Sequence, residues 1–224
     1  MFQYRRYAVY YTPPQGQFAD FAARWLGWDA VAGREVAQPV LPGLDIAKIT
    51  SAPRKYGFHA TLKAPFRLAA DRGSDALYAA VEKLAERLSP VTLDGLTLSR
   101  IGGFLALTPV GETAGLNELA AEVVKTLDPF RDALTAAEIA RRNPDALSPR
   151  QRAYLDRWGY PYVFDEFRYH MTLTSSLAEA EQSAVMDQLT PRLSVVPRPF
   201  TLDALSLAGE AADGRFHVIE RFAL

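Results

Sequence analysis

The sequence predicts an α+β protein built from two similar halves, and three observations carry that prediction. A His-x-Thr-Leu tetrad occurs twice, as "HATL" from His59 and as "HMTL" from His170. A second echo follows each tetrad: "TLDGLTL" begins at Thr92, 33 residues after His59, and "TLDALSL" at Thr201, 31 residues after His170. Around each tetrad the apolar pattern passes in the same order from strand to helix to two strands. Two echoes in one order make internal duplication the organising fact of the chain.

The elements follow in chain order. "RRYAVYYTP" is rich in Tyr and Val, reads as a strand and stops at Pro13-Pro14. "GQFADFAARWLGWD" spaces Phe18, Phe21, Ala22 and Trp25 as a helix that ends near Gly27. Residues 29–53 are rich in Pro and Gly and read mostly as loop. The first repeat unit, about 56–110, opens with the strand "KYGFHATLKAPF". Its helix "SDALYAAVEKLAERLSP" has Ser74 as N-cap and Leu77, Val81, Leu84 and Leu88 on one face. The strands "VTLDGLTLSR" and "GFLALTPV" complete it. The second unit, about 167–224, repeats this with the strand "FRYHMTLTSSL", the helix "AEAEQSAVMDQLTPRL" broken at Pro191, and the strands "RPFTLDALSLAGE" and "GRFHVIERFAL". Between the units, at about 114–160, lie the helix "GLNELAAEVVKTLDPF" and a helical stretch around "TAAEIARRNPDALSPRQRAYLDRWGYP"; the latter has no counterpart in the first half, and bridging the halves is its leading reading, ahead of covering a cleft.

The chain has 224 residues, enough for one large domain or two small lobes around a substantial core. Its formal net charge of −1 argues against a broad basic face for long nucleic acid, while leaving room for a small phosphate pocket. With no cysteine there is neither a disulfide nor a thiolate nucleophile, and with three histidines no ligand spacing for a metal emerges. No apolar leader region and no long apolar run occur, so a cytoplasmic protein without a membrane span is expected. No cofactor and no obligate protein partner are expected.

Alternate side chains of a strand share a face, so His59 projects with Thr61, and His170 with Thr172. If the units are pseudo-symmetric, both pairs face one cleft. Two imidazoles can then act as acid and base without a metal, because the ordinary histidine pKa lies close to neutrality. Two threonine hydroxyls can donate to non-bridging phosphate oxygens. By the same alternation Lys63 joins His59 and Thr61, and Arg168 joins His170 and Thr172, adding positive charge beside a phosphate. Tyr10, Tyr11, Tyr56 and Tyr169 are near enough in sequence to stack on a base or sugar, with Tyr11 and Tyr56 the chosen pair. His217 has Leu105 at the equivalent place of the first unit and no following Thr, and reads as structural.

Paired "HATL" and "HMTL" resemble the signature of the two-histidine phosphoesterases, a superfamily that includes RNA ligase-like cyclic phosphodiesterases. The longer texts "RKYGFHATLKAPFRL" and "WGYPYVFDEFRYHMTLT" resemble one branch, the domain of unknown function 1045, associated with phosphonate utilisation. The resemblance spans essentially the whole chain as a single domain, residues 1–224. It implies a bilobal fold: two pseudo-symmetric lobes of antiparallel sheet, helices packed outside, a central cleft and metal-independent chemistry. It also implies that His59 and His170 are catalytic and that Thr61 and Thr172 contact phosphate. The expected activity is hydrolysis of a small cyclic phosphodiester, either a ribose cyclic phosphate or a 2′,3′-cyclic nucleotide. RNA-end processing or 2′–5′ ligation is the alternative, with Arg54, Lys55, Lys63, Arg67 and Arg168 as a basic rim. A non-catalytic protein that binds a phosphorylated metabolite is a third.

Overall fold

The structure, a computed structural model, describes residues 4–224. The expectation of no leader rests partly on residues 1–3, which lie outside the described residues. Strand β1 (Tyr7–Tyr11) stops short of Pro13 and Pro14, which have no N–H to give a ladder. Helix α1 (Gln17–Leu26) buries Phe18, Ala22, Trp25 and Leu26 and closes at Gly27, whose φ of 79° is the left-handed conformation that suits glycine. The segment expected as loop holds a small ribbon, β2 (Trp28–Asp29) with β3 (Arg34–Glu35), and two single-turn helices, α2 (Ile46–Ile49) and α3 (Ser51–Arg54). The first of these turns forms because Asp45 accepts from the Lys48 N–H while Ile46 and Ile49 are buried.

The first repeat unit contributes β4 (Ala60–Phe66), α4 (Ser74–Ala85), β5 (Val91–Leu93), β6 (Gly95–Ile101) and β7 (Phe104–Val110). Gly73 rather than Ser74 occupies the N-cap position of α4, and Leu88 lies past its end. Between the units run α5 (Ala114–Leu127), α6 (Ala136–Ala140) and α7 (Pro149–Trp158). The second unit contributes β8 (Met171–Thr172), α8 (Glu179–Leu189), β9 (Phe200–Leu202), β10 (Ala204–Glu210) and β11 (Phe216–Ala223). Helix α8 ends two residues before Pro191, as the sequence predicts. The long strand expected around His170 shrinks to two residues. Both Leu173 and Thr174 turn their N–H groups onto Leu105 O, and Ser175 gives its own to Ile49 O, so the chain leaves the ladder.

The strands expected in two sheets join into one antiparallel sheet of seven, ordered β11-β10-β1-β4-β8-β7-β6. Its central contact is narrow: β4 meets β8 through the single pair Ala60↔Met171. The strand that follows each unit's histidine sits beside the other unit's hairpin side of the sheet. β8 pairs with β7 of the first unit, and β4 reaches β10 of the second through β1. The second echo also pairs with itself, because β5 and β9 form a separate ladder centred on Thr92↔Thr201. Ala60 and Met171 hold equivalent places in the repeat, as do Thr92 and Thr201. Equivalent residues facing each other in antiparallel pairs is the self-complementarity of a two-fold axis.

One sheet face carries the main core, with Tyr7, Val9, Tyr11, Leu62, Leu105, Leu107, Met171, Leu205 and Leu207 packed against buried residues of α1, α4 and α5. Along β4 the alternation fails. Tyr10 pairs with Thr61 and Val9 with Lys63, so one step on β1 spans two on β4, and a second irregularity follows between Val9 and Tyr7. These bulges put Leu62 and Lys63 together on the core face and return Ala64 to the other. This local departure from period two decides which side chains reach the cleft.

Candidate active site

The opposite face of the sheet forms the floor of a cleft whose two ends share Thr61, Ala64, Phe104 and Tyr160. One end, about 340 Å³, is lined by His59, Thr61 and Thr172 together with Arg6, Tyr10, Tyr56 and Arg142. The other, about 480 Å³, is lined by His170 and Arg168 with Tyr162, Gln151 and Glu166. The sequence-predicted tetrads therefore meet in one place. Their chemistry is asymmetric because the walls that surround them differ.

Both histidines are held alike. Each donates Nδ1–H to the backbone carbonyl two residues earlier: His59 to Gly57 O at 2.9 Å, and His170 to Arg168 O at 2.7 Å. A carbonyl only accepts, so the bonded Nδ1 carries the hydrogen and Nε2 is left for the cleft. In His59 that nitrogen accepts from the Thr61 hydroxyl at 3.3 Å. The Gly57 carbonyl is aimed by a φ of 71°, and a Cβ there would approach the Ala30 Cβ to 2.6 Å, so only glycine fits the turn. The Tyr10 ring covers His59 at a centroid separation of 3.9 Å, and Phe104 flanks His170 at 5.8 Å.

The environment sets the charge of His59. Burial among protein atoms is the main cause, and repulsion from His170 adds to it. Together they outweigh the Gly57 carbonyl and push the imidazole pKa down to about 4. His59 is therefore neutral at pH 7, with an unprotonated Nε2.

Two expected contributors lie elsewhere. Lys63, placed by simple alternation beside the phosphate, is 4% exposed and points into the core face. Its ammonium donates to Val124 O at 3.3 Å and pairs with Asp128 at 3.5 Å, because the β4 bulge reverses its side. Tyr11 is buried in the main core against Phe200, since Tyr10 takes the cleft-facing register of β1. Tyr169 is likewise a core residue against Phe200. Tyr56 does line the cleft, and Arg168 is exposed at its other end. His217 sits edge-on to Trp28 at 5.2 Å, away from the cleft lining, as its sequence context indicates.

The basic rim expected around the motifs is largely committed. Arg54 donates to Leu26 O, Ala47 O, Gln38 and Thr50, tying α3 to its surroundings. Arg67 pairs with Asp132 and Glu138, anchoring α6. Lys55 remains at the surface over the Tyr56 ring. Sequence reasoning missed Arg6, Arg142, Tyr160 and Phe104. Arg142 and Tyr160 come from the unduplicated helical stretch, which thus builds one wall of the cleft besides bridging the units. The absence of a counterpart in the first unit was the signal that could have marked them.

No group of three or more His, Asp or Glu is arranged to hold a metal ion among the described residues. No helix among them is long and apolar enough to cross a membrane.

The fold and site define an α+β protein with two His-x-Thr pairs on one antiparallel sheet. Residues 61–217 match the family described as "Protein of unknown function (DUF1045)", and the chain belongs to that family. It is similar to the ribose 1,5-bisphosphate phosphokinase PhnN of Janthinobacterium sp. (strain Marseille), 34% identical over 218 residues, covering 93% of this chain and 48% of that one. A protein of the same name from Laribacter hongkongensis (strain HLHK9) is 41% identical over 179 residues, covering 79% of this chain and 41% of the relative. The chain spans about half the length, or less, of these curated relatives. Among solved structures it is similar to E. coli LigT complexed with 3′-AMP, at 13% identity, 99% coverage of both chains and a TM-score of 0.47. A structure described as a phosphoesterase aligns at 16% identity, 98% coverage of both and a TM-score of 0.45.

Proposed function

We propose that the cleft hydrolyses a small cyclic phosphodiester without a metal, with His59 as general base and His170 as general acid. The observation that carries this reading is the matched presentation of two imidazoles: each is tethered through Nδ1 and leaves Nε2 for the cleft that Thr61 and Thr172 also line. Neutral His59 takes a proton from water through Nε2, and the water oxygen forms a bond to phosphorus. The phosphorus–oxygen ester bond opposite breaks, and His170, acting in this step as the imidazolium with hydrogen on both nitrogens, protonates the departing sugar oxygen through Nε2. The ring opens to a phosphomonoester. The Thr61 hydroxyl, turned from His59 Nε2 as that nitrogen takes the water proton, and the Thr172 hydroxyl donate to the non-bridging oxygens as charge builds on them.

A small substrate is favoured over a long RNA because three of the five expected rim cations, Arg54, Lys63 and Arg67, are tied to partners within the protein. The name of the two relatives refers to a phosphorylated ribose, which supports a sugar phosphate as the substrate class. The class also fits the phosphonate setting that the resemblance implies, where a ribose 1,2-cyclic phosphate must be opened.

The test is hydrolysis of ribose 1,2-cyclic phosphate and of 2′,3′-cyclic nucleotides in the presence of a chelator. His59→Ala and His170→Ala should each lower kcat by about 10²–10⁴-fold. Undiminished turnover by the double variant would refute the mechanism.

A further inference from the structure

We infer that the Arg142 end of the cleft is a second anion subsite, built for a phosphomonoester carried by the same substrate that presents its cyclic diester to the histidines. This rests on the reading of the cleft as a phosphodiesterase site and names its substrate class more narrowly.

Three observations meet there. The first is an uncommitted cation. Arg142 is half-buried, its guanidinium lies 4.8 Å over the Tyr160 ring, and no carboxylate pairs with it among the described residues. No Asp or Glu lines this end of the cleft at all. A guanidinium fixed on an aromatic face and facing a cavity without a counterion is suited to an anion.

The second is an orphaned donor. Tyr10 is 1% exposed, and its hydroxyl has no hydrogen-bond partner although the residue lines the cavity. Leaving a buried hydroxyl unpaired is costly, and an acceptor supplied by a ligand would relieve it. Tyr56, Arg6 and Tyr160 line the same end of the cavity.

The third is a prepared fork. Arg6 gives Nε and Nη2 to the two carboxylate oxygens of Glu210, at 2.6 and 2.9 Å. That pairing fixes the plane of the guanidinium and leaves Nη1 for a ligand in the cavity it lines. Arg142 lies just past the C-terminal end of α6, where its backbone N–H donates to Ile139 O at 2.9 Å while its guanidinium rests over Tyr160. The other end of the cleft has Glu166 in its lining and lacks this donor set. The two-fold relation of the histidines is therefore broken by the walls. A substrate with one phosphomonoester has a single favoured orientation, and that orientation fixes which histidine meets the leaving oxygen.

The experiment separates this inference from the hydrolytic reading. Ribose 5-phosphate, which has a phosphomonoester and no diester, is titrated calorimetrically into the wild type, Arg142→Gln, Arg142→Lys and Tyr10→Phe, each checked for a native thermal melt. The expected result is binding to the wild type, weakened about tenfold or more by Arg142→Gln, partly kept by Arg142→Lys, and weakened several-fold by Tyr10→Phe. Hydrolysis is measured in parallel with 2′,3′-cyclic AMP and its 5′-phosphorylated form. The wild type should prefer the phosphorylated substrate in kcat/KM, and Arg142→Gln should collapse the ratio. Absent ribose 5-phosphate binding, or binding indifferent to Arg142 and Tyr10, overturns the subsite whatever the hydrolysis shows. Intact binding with no turnover of any diester overturns the hydrolytic reading and leaves the subsite standing.

Discussion

Replacing Lys63 by Met should make the protein more stable and leave its catalysis intact. The ammonium is almost wholly buried, and burial is the chief cause that pulls its pKa down to about 8 even with Asp128 opposing the shift. Relative to the free value of about 10.4, that displacement corresponds to about 3 kcal/mol spent on keeping the group charged at pH 7. The attraction of Asp128 is already inside that figure. Met fills the same unbranched volume. Asp128 keeps the Arg131 guanidinium at 2.9 Å and the Arg157 guanidinium at 3.3 Å, so its carboxylate is not stranded. The expected gain is about 1–3 kcal/mol, a rise in Tm of roughly 2–4 °C per kcal/mol for a chain of this size. The sign has a pH signature. Between about pH 8 and 10.4 the folded wild type has lost the proton that the unfolded chain still holds, so wild-type stability climbs with pH. The variant's advantage is full at pH 7 and gone by about pH 10.5. Thermal or urea denaturation at pH 7 and 10 reads this, and kcat/KM should stay within about twofold. A lysine bonded to substrate phosphate would instead cost about 1.5–3 kcal/mol, a loss of roughly 10- to 150-fold. A loss of that size with a native melt, or a lower Tm at pH 7, refutes the β4 bulge as the arbiter of this residue's face.

Acid should destabilise the protein through His59. Its folded pKa of about 4 lies below the free value of about 6.5, so the unfolded chain takes up the proton first as pH falls through that window. The loss nears about 3 kcal/mol at its limit, and partial exposure to the cleft trims it to about 2 kcal/mol. Urea titrations at pH 7 and 4.5 should show His59→Gln losing less than the wild type, and equal losses count against a depressed pKa. Tyr10→Phe should raise the stability of the ligand-free protein by about 1 kcal/mol, because it removes a buried hydroxyl with no partner; a lower Tm would mean that the hydroxyl has one. Gly57→Ala should lower both Tm and kcat, since a side chain at φ 71° strains the turn and meets Ala30. Native activity in that variant would show that the Gly57 carbonyl does not position His59.

Much of the site was legible before any fold was known. The echo of "HATL" in "HMTL" identified His59, His170, Thr61 and Thr172, and the cleft brings all four together. The echo of "TLDGLTL" in "TLDALSL" found two segments that pair with each other at Thr92 and Thr201. Helices α1, α4 and α5 were readable because their apolar spacing is local information. The failures share a cause. Lys63 was assigned a face by counting in twos, and a bulge is set by the partner strand β1, which no local pattern records. Tyr10 and Tyr11 are adjacent and alike in sequence, and only pairing with Thr61 decides which one reaches the cleft. The strand expected around His170 ended early because Leu105 and Ile49, distant in sequence, accept its N–H groups.

The sequence by itself determined that this chain is duplicated and that a His-x-Thr pair stands at the same place in each unit, since repetition and side-chain identity are written in the order of residues. Only the tertiary structure decided the surroundings of those pairs. It made His59 neutral by burial, set Lys63 facing inward, and brought Arg6 and Arg142 to one end of the cleft from parts of the chain more than a hundred residues apart. Burial and counterion pairing depend on distances in space, and the chain's linear order does not contain them.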